Sequence, residues 1–183
     1  MKKELKSSIL EKRDKLSREE IQRMSSEIKQ KLFSLDEFKK RRNVMFYISF
    51  RSEVDTHQMV REALKEKNVS IPKLVGKNIE PSLISDFDNL LESRNFGILE
   101  PMELVKVNNK NIELVIVPGI VFDKRGHRIG SGLGYYDKFL KKIPKAFKIG
   151  LAFDFQIVEN IPNEEHDVPV DVIVTEKQII RVS

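Results

Sequence analysis

The chain reads as an α/β protein: a three-layer sandwich with a central, mostly parallel sheet and flanking helices, entered through an N-terminal helical pair. Three observations lead there. Short, near-continuous apolar runs recur at 44–48, 69–74, Leu114–Val117, 147–152 and 172–175, as in strands covered on both faces. Amphipathic helical patterns lie between several of them. No internal repeat, low-complexity tract or linker divides the 183 residues, so one domain is expected over 1–183, with residues 1–42 packed on it as the helical pair.

In the first helix Leu5, Ile9 and Leu16 share a face. Ser17 opens the second with a capping box, Ser17-Arg18-Glu19-Glu20, and Ile21, Met24, Ile28 and Leu32 form its apolar stripe. The basic cluster Lys39-Lys40-Arg41-Arg42 precedes the strand at 44–48. Thr56 is placed to cap a helix running to about Lys67, with Met59, Val60 and Leu64 inward. Pro72 interrupts the strand at 69–74 and sets its end at an edge or a bend. Residues 75–109 are the least regular, and short edge strands with one helical turn near 87–91 are expected there. Leu114–Val117 is the next strand, followed by a glycine-rich block, a helix over 135–142 and strands at 147–152 and 172–175.

Composition narrows the function. With no cysteine there is no disulfide, thiolate nucleophile or cysteine-ligated metal, which suits a reducing, cytoplasmic setting. His57, His127 and His166 show no metal-ligand spacing, so no zinc site is expected. No apolar run has the length of a membrane span, and the lysine-rich N-terminus is unlike a signal peptide. The net charge of +5 is concentrated: residues 1–42 hold 14 Lys and Arg against 8 Asp and Glu, while the remainder holds 19 against 20. Such a segment is a solvated helical face, an RNA or membrane contact, or a set of lysines reaching a small polyanion such as a nucleoside triphosphate.

The glycine block runs from Pro118 to Asp137. Gly130, Gly132 and Gly134 alternate, so the backbone can take positive φ or approach a ligand without Cβ atoms in the way. A strand, alternate glycines and a helix start together make a phosphate cradle, and Arg128 can grip phosphate oxygens with two prongs. The block is neither a Walker A motif nor a dinucleotide fingerprint in its usual place, and a tight structural turn is the plain alternative. Asp137 is either a magnesium ligand beside phosphates or a first-turn aspartate favouring the helix dipole. Asp171, at the start of the last strand, is either a turn residue or aimed at the site. Glu53 follows the first strand, where α/β folds bind ligands; it pairs with a ring's N–H edge or is a solvated loop residue. Tyr135 and Tyr136 stack on flat rings or form a core edge.

The block resembles, nearly letter for letter, the signature of the 5-formyltetrahydrofolate cyclo-ligase family. That pattern is Pro-Gly-x-x-Phe-Asp-x-x-Gly-x-Arg, then a hydrophobic residue, then Gly-x-Gly-x-Gly-Tyr-Tyr-Asp. Lys2-Lys3-Glu4-Leu5-Lys6, Glu53-Val54-Asp55-Thr56, Phe96-Gly97-Ile98-Leu99-Glu100-Pro101 and His166-Asp167-Val168-Pro169-Val170-Asp171 also look like family landmarks, so the resemblance covers essentially the whole chain. One departure is Lys6 where the family usually has arginine; the charge stays but the planar fork is lost.

The resemblance implies ATP- and magnesium-dependent closure of 5-formyltetrahydrofolate to 5,10-methenyltetrahydrofolate, with ADP and phosphate released. It carries ATP binding to Lys2, Lys3, Glu4, Leu5, Lys6, Arg128, Ile129, Gly130, Ser131, Gly132, Leu133, Gly134, Tyr135 and Tyr136, with Arg128 and Tyr136 in catalysis. It carries the folate substrate to Ile48, Glu53, Ser131, Gly132, Leu133, Gly134 and Tyr135, and magnesium to Asp137 and Asp171. Expected with it are a monomer in the cytoplasm, a small-molecule substrate, and no nucleic-acid or membrane partner. A nucleotide- or sugar-phosphate-binding module without ligase activity is the alternative, and Glu53 argues against it because a bare phosphate binder needs no carboxylate there. An RNA-associated protein would interleave aromatics with its basic residues, and the basic segment offers only Phe33 and Phe38.

Overall fold

A computed structural model of the chain describes residues 1–93 and 97–183. Phe96 of the segment singled out above lies outside the described residues. The N-terminal segment holds three helices rather than a pair: α1 (Lys2–Asp14), α2 (Arg18–Ser34) and α3 (Asp36–Lys40). Leu35 takes an extended conformation (ψ 132°), which ends α2 and starts α3. The capping box forms as expected. Ser17 Oγ accepts from Glu20 N–H at 3.1 Å, and the Glu20 carboxylate accepts from Ser17 N–H at 2.8 Å.

Next come β1 (Asn43–Met45) and α4 (His57–Ala63), which stops short of Lys67. Thr56 does not cap α4 through its side chain. Its hydroxyl donates instead to the Tyr47 carbonyl at 2.7 Å and accepts from Ser49 N–H at 3.0 Å, folding the loop after β1 back onto the strand. The Lys67 ammonium donates to the carbonyls of Phe38 (2.8 Å) and Arg41 (2.7 Å), closing the C-terminal end of α3.

β2 (Asn68–Val75) and β3 (Asn78–Ile84) form a hairpin that turns at Gly76, where φ is +63°. Pro72 lies beyond Ser70, the last β2 residue in register with β1, and it does not end the strand: β2 runs on to Val75, paired there with β3 alone. The seven-residue β3 is longer than the edge pieces expected for this region. It is disguised by Pro81, which faces Pro72 across the hairpin. The expected short pieces follow it: a helical turn at Phe87–Asn89, then β4 (Leu91–Glu92) and β5 (Leu99–Glu100). Then come β6 (Leu114–Val117), β7 (Val121–Asp123), β8 (Arg128–Ile129), α5 (Tyr135–Leu140), β9 (Phe147–Leu151), β10 (Ile157–Val158), β11 (Val172–Val174) and β12 (Ile179–Arg181).

The main sheet has the order β12-β11-β9-β6-β1-β2-β3. Its five inner strands run parallel and both edge strands antiparallel, as the sandwich requires. Alternation assigns each strand residue to a layer. Val44, Phe46, Leu114, Ile116, Val172 and Val174 pack with Ile28 and Leu32 of α2, Phe38 of α3 and Met59 of α4. Met45, Val115, Val117 and Ile173 pack on the other face with Phe139 and Leu140 of α5. α1 goes elsewhere: its Ile9 packs on Ile120, Val121 and Ile161, against a small sheet of order β10-β7-β8.

Candidate active site

The first half of the glycine block is a hairpin, not a loop, because Val121, Phe122 and Ile129 find apolar cover. Asp123 knots its turn. Fully buried, it accepts from the backbone N–H of Arg125 (3.0 Å), His127 (3.0 Å) and Ile161 (2.9 Å). Burial alone would raise its pKa, but these bonds and the Arg125 guanidinium outweigh it and hold the carboxyl below its ordinary value. Gly126 at the turn has φ +85°, and a Cβ there would lie 2.4 Å from the Val170 carbonyl oxygen.

This hairpin delivers Arg128 to the site, with its side chain 4% exposed. Nη1 donates to the Val168 carbonyl at 2.9 Å and Nη2 to Asp137 Oδ1 at 3.0 Å. Asp137 Oδ1 also accepts from Val168 N–H at 3.2 Å, while Oδ2 has no partner among the described residues. Burial pulls the guanidinium pKa down and the Asp137 carboxylate pushes it back up, so Arg128 remains a cation.

Beyond Arg128 the chain opens. Ile129 packs beside Leu5 against the α1 cluster, and Ser131, Gly132, Leu133 and Gly134 are exposed. Gly132 (φ +104°) and Gly134 (φ +68°) take the left-handed conformation that the alternation of glycines anticipates. α1 lies over this loop. Lys6 Nζ donates to the Ser131 carbonyl at 2.7 Å, and Lys2, one turn earlier, lies 3.7 Å from an Asp167 oxygen and 3.9 Å from Glu164. Lys3 and Glu4 are exposed, and Glu4 pairs with the N-terminal ammonium.

Facing the loop is the turn after β1. Ile48 is buried in the core. Glu53 bends back so that Oε2 accepts from Phe50 N–H at 2.8 Å, and Arg51 between them is left-handed at φ +53°. Burial raises the Glu53 pKa, against the Phe50 bond and the charge of Arg13. Tyr136 joins the two sides. Half-buried against both faces of the sheet, its phenol has a pKa raised by burial and by Glu53, and partly lowered by Arg128. Tyr135 packs only against the α5 side.

Arg128, Tyr136, Asp137, Lys2, Lys6, the glycine loop and Glu53 thus come together. Asp171 does not join them by any shared bond among the described residues. It stands exposed at the N-terminal end of β11, where one carboxylate oxygen accepts from Lys148 N–H at 2.8 Å. Two residues of the site, Arg13 and Tyr47, were not singled out from the sequence, and Asp167 stood there only within the 166–171 landmark. Arg13 left a signal, since it continues the Leu5–Ile9 stripe by one turn as a charge in an apolar series.

Fold and site together define an α/β protein with an exposed glycine-rich loop and, on the turn after β1, a half-buried carboxylate. Comparison with known proteins is specific. The family model of 5-formyltetrahydrofolate cyclo-ligases matches residues 1–176. The 5-formyltetrahydrofolate cyclo-ligase of Haemophilus influenzae is 33% identical over 159 residues, covering 80% of this chain and 83% of that protein. The solved 5,10-methenyltetrahydrofolate synthetase of Aquifex aeolicus is 41% identical with a TM-score of 0.89, over 99% of this chain and 92% of that one. The synthetase from Mycoplasma pneumoniae is 25% identical with a TM-score of 0.78, over 96% of this chain and 98% of that one. The chain belongs to the 5-formyltetrahydrofolate cyclo-ligase family and is a ligase of folate metabolism.

Proposed function

We propose that the chain closes 5-formyltetrahydrofolate to 5,10-methenyltetrahydrofolate at the expense of ATP, through phosphorylation of the formyl oxygen. The observation that carries this reading is Tyr136, which packs on both faces of the sheet, beside Tyr47, Ile48 and Val54 of the Glu53 side and one residue before Asp137, the partner of Arg128. A phosphate-side cation and a carboxylate turn linked through one residue suit a transfer between two substrates. In the first step the formyl oxygen attacks the γ-phosphorus and the bond to ADP breaks. In the second, the folate N10 attacks the formyl carbon, the carbon–oxygen bond breaks, phosphate leaves and N10 loses its proton. No protein nucleophile takes part, so catalysis rests on alignment and charge neutralisation.

The triphosphate is assigned to residues 2–6 and 128–136, with Lys2, Lys6 and the loop amides around it and Arg128 behind. Lys6 already spends one donor on Ser131, which leaves the others of its ammonium for phosphate oxygens. Glu53 offers its second oxygen to ring N–H groups of the folate, whose pterin lies along the 131–135 loop with Ile48 beneath. Exposed Leu133 and half-buried Tyr135 supply apolar cover. Magnesium fits the Asp137 donor set, since this ion takes one or two carboxylates and fills its shell with phosphate and water oxygens. Among the described residues no cluster of three or more acidic, His or Cys side chains offers a closed cage. Asp171, the second carboxylate named by the resemblance, shares no bond with Asp137 among the described residues, so the proposed ion rests on Asp137. Bound there, magnesium would neutralise charge on the departing phosphates.

Purified chain with ATP, magnesium and 5-formyltetrahydrofolate is expected to develop the near-ultraviolet absorbance of methenyltetrahydrofolate. A trace equal to the ATP-free control sinks the reading.

A further inference from the structure

A buried arginine closes α1. Arg13 is only 7% exposed, on the face that Leu5 and Ile9 line. A guanidinium leaves water only where partners compensate it. Here Nε donates to Ser52 Oγ at 3.1 Å, and Ser52 Oγ donates in turn to Asp14 Oδ1 at 2.5 Å. Ser52 immediately precedes Glu53, so this chain of bonds fastens the last turn of α1 to the turn that presents the folate carboxylate. Nη1 and Nη2 have no hydrogen-bond partner among the described residues, and neither is sealed from solvent.

The charges around Glu53 are few. The charge of Arg13 acts on it from α1, and it acts in turn on Tyr47, just past β1, and on Tyr136 of α5; Asp55, on its own loop, acts on Tyr47, and Arg128 acts on Tyr136. Both phenols are held neutral by burial, so the cation acting on Glu53 is Arg13. The opposite end of the same helix carries Lys2 and Lys6 to the glycine loop.

Resting on the functional reading above, we propose that Arg13 is a positioning residue: through Ser52 it fastens the turn that aims the Glu53 carboxylate at the folate, places a cation behind that turn, and registers α1 so that both substrates meet one rigid element. The proposal is tested on the full chain with Arg13→Gln, Arg13→Lys and Ser52→Ala. Steady-state kinetics across pH are paired with carbon-13 NMR titration of the Glu53 carboxyl. Arg13→Gln is expected to raise the folate KM about tenfold while kcat changes less than about threefold. The acid limb of kcat/KM and the Glu53 titration should both move to higher pH, since the lost cation favoured the ionised form. Arg13→Lys should recover most of both changes. An unmoved limb with an unmoved titration overturns the proposal, as does a lower kcat at constant folate KM.

Where circular dichroism shows Arg13→Gln unfolded, Ser52→Ala decides. A smaller shift in the same direction supports the proposal, and wild-type values overturn it. The titration needs no turnover. A wild-type chain that makes no methenyltetrahydrofolate therefore defeats the functional reading, while the Arg13–Glu53 coupling is still measured.

Discussion

At the scale of single residues the site is a set of charges whose burial is compensated locally. Arg128 is the clearest case. Its guanidinium is almost wholly buried and spends its two terminal nitrogens on Asp137 and the Val168 carbonyl. In the free protein it therefore ties the glycine block to the 168–171 segment, and under the proposed function it would supply positive potential to nucleotide from behind the loop. Arg128→Ala is expected to lower kcat about a hundredfold while the folate KM changes little. Unchanged turnover would remove Arg128 from this role, and a melting curve separates lost catalysis from lost folding. The motif made Arg128 visible in the sequence, but its partners were not visible. Val168 and Asp137 lie 40 and 9 residues away, and only folding makes them neighbours.

At the scale of elements, the β7–β8 hairpin holds the site rigid. Its turn is knotted by Asp123, and its Gly126 lies against the backbone of the segment 168–171 that also touches Arg128 and Asp137. Phe122 fills the space above Gly119 and Gly150, where a Cβ at either glycine would come within 2.6 Å of the ring. Gly126→Ala would need both a left-handed alanine and a backbone shift away from Val170. A stability loss of about 2–3 kcal/mol is expected, read as a lower denaturant midpoint. A variant as stable as the parent would show that the 168–171 segment yields freely. The periodicity that revealed the large strands missed this hairpin, since strands of three and two residues carry too few side chains for alternation. β3 is longer than the short edge strands expected there for a different reason: Pro81 breaks its run in the sequence, yet it faces Pro72, beyond the β2 residues that pair with β1.

At the scale of the whole molecule, stability and site electrostatics have opposite signs at two carboxylates. The folded pKa of Asp123 lies below its unfolded value, so its stabilisation is present above that unfolded value and is lost as pH falls through the folded one. The folded pKa of Glu53 lies above its unfolded value. Its ionisation therefore costs stability once pH has risen past the folded pKa. At neutral pH, Asp123→Asn is expected to lower the melting temperature and Glu53→Gln to raise it. The Asp123→Asn deficit should shrink as the medium is acidified below about pH 4. Melting curves of both variants against pH check the pair, and like-signed shifts at neutral pH would contradict it. A carboxylate that costs stability is what a binding site maintains for a ligand.

The sequence by itself determined the layers, the parallel sheet, the glycine loop and the family, because each is written in local spacing: apolar runs, a capping box, alternate glycines, one long motif. Only the tertiary structure decided that α1 packs on the small sheet rather than pairing with α2, and that Arg13 is bonded to Ser52 beside Glu53. It also decided that Asp137 is tied to Arg128 while Asp171 stands apart at a strand's N-terminal end. Those facts depend on which distant side chains burial brings together, and no spacing along the chain encodes that.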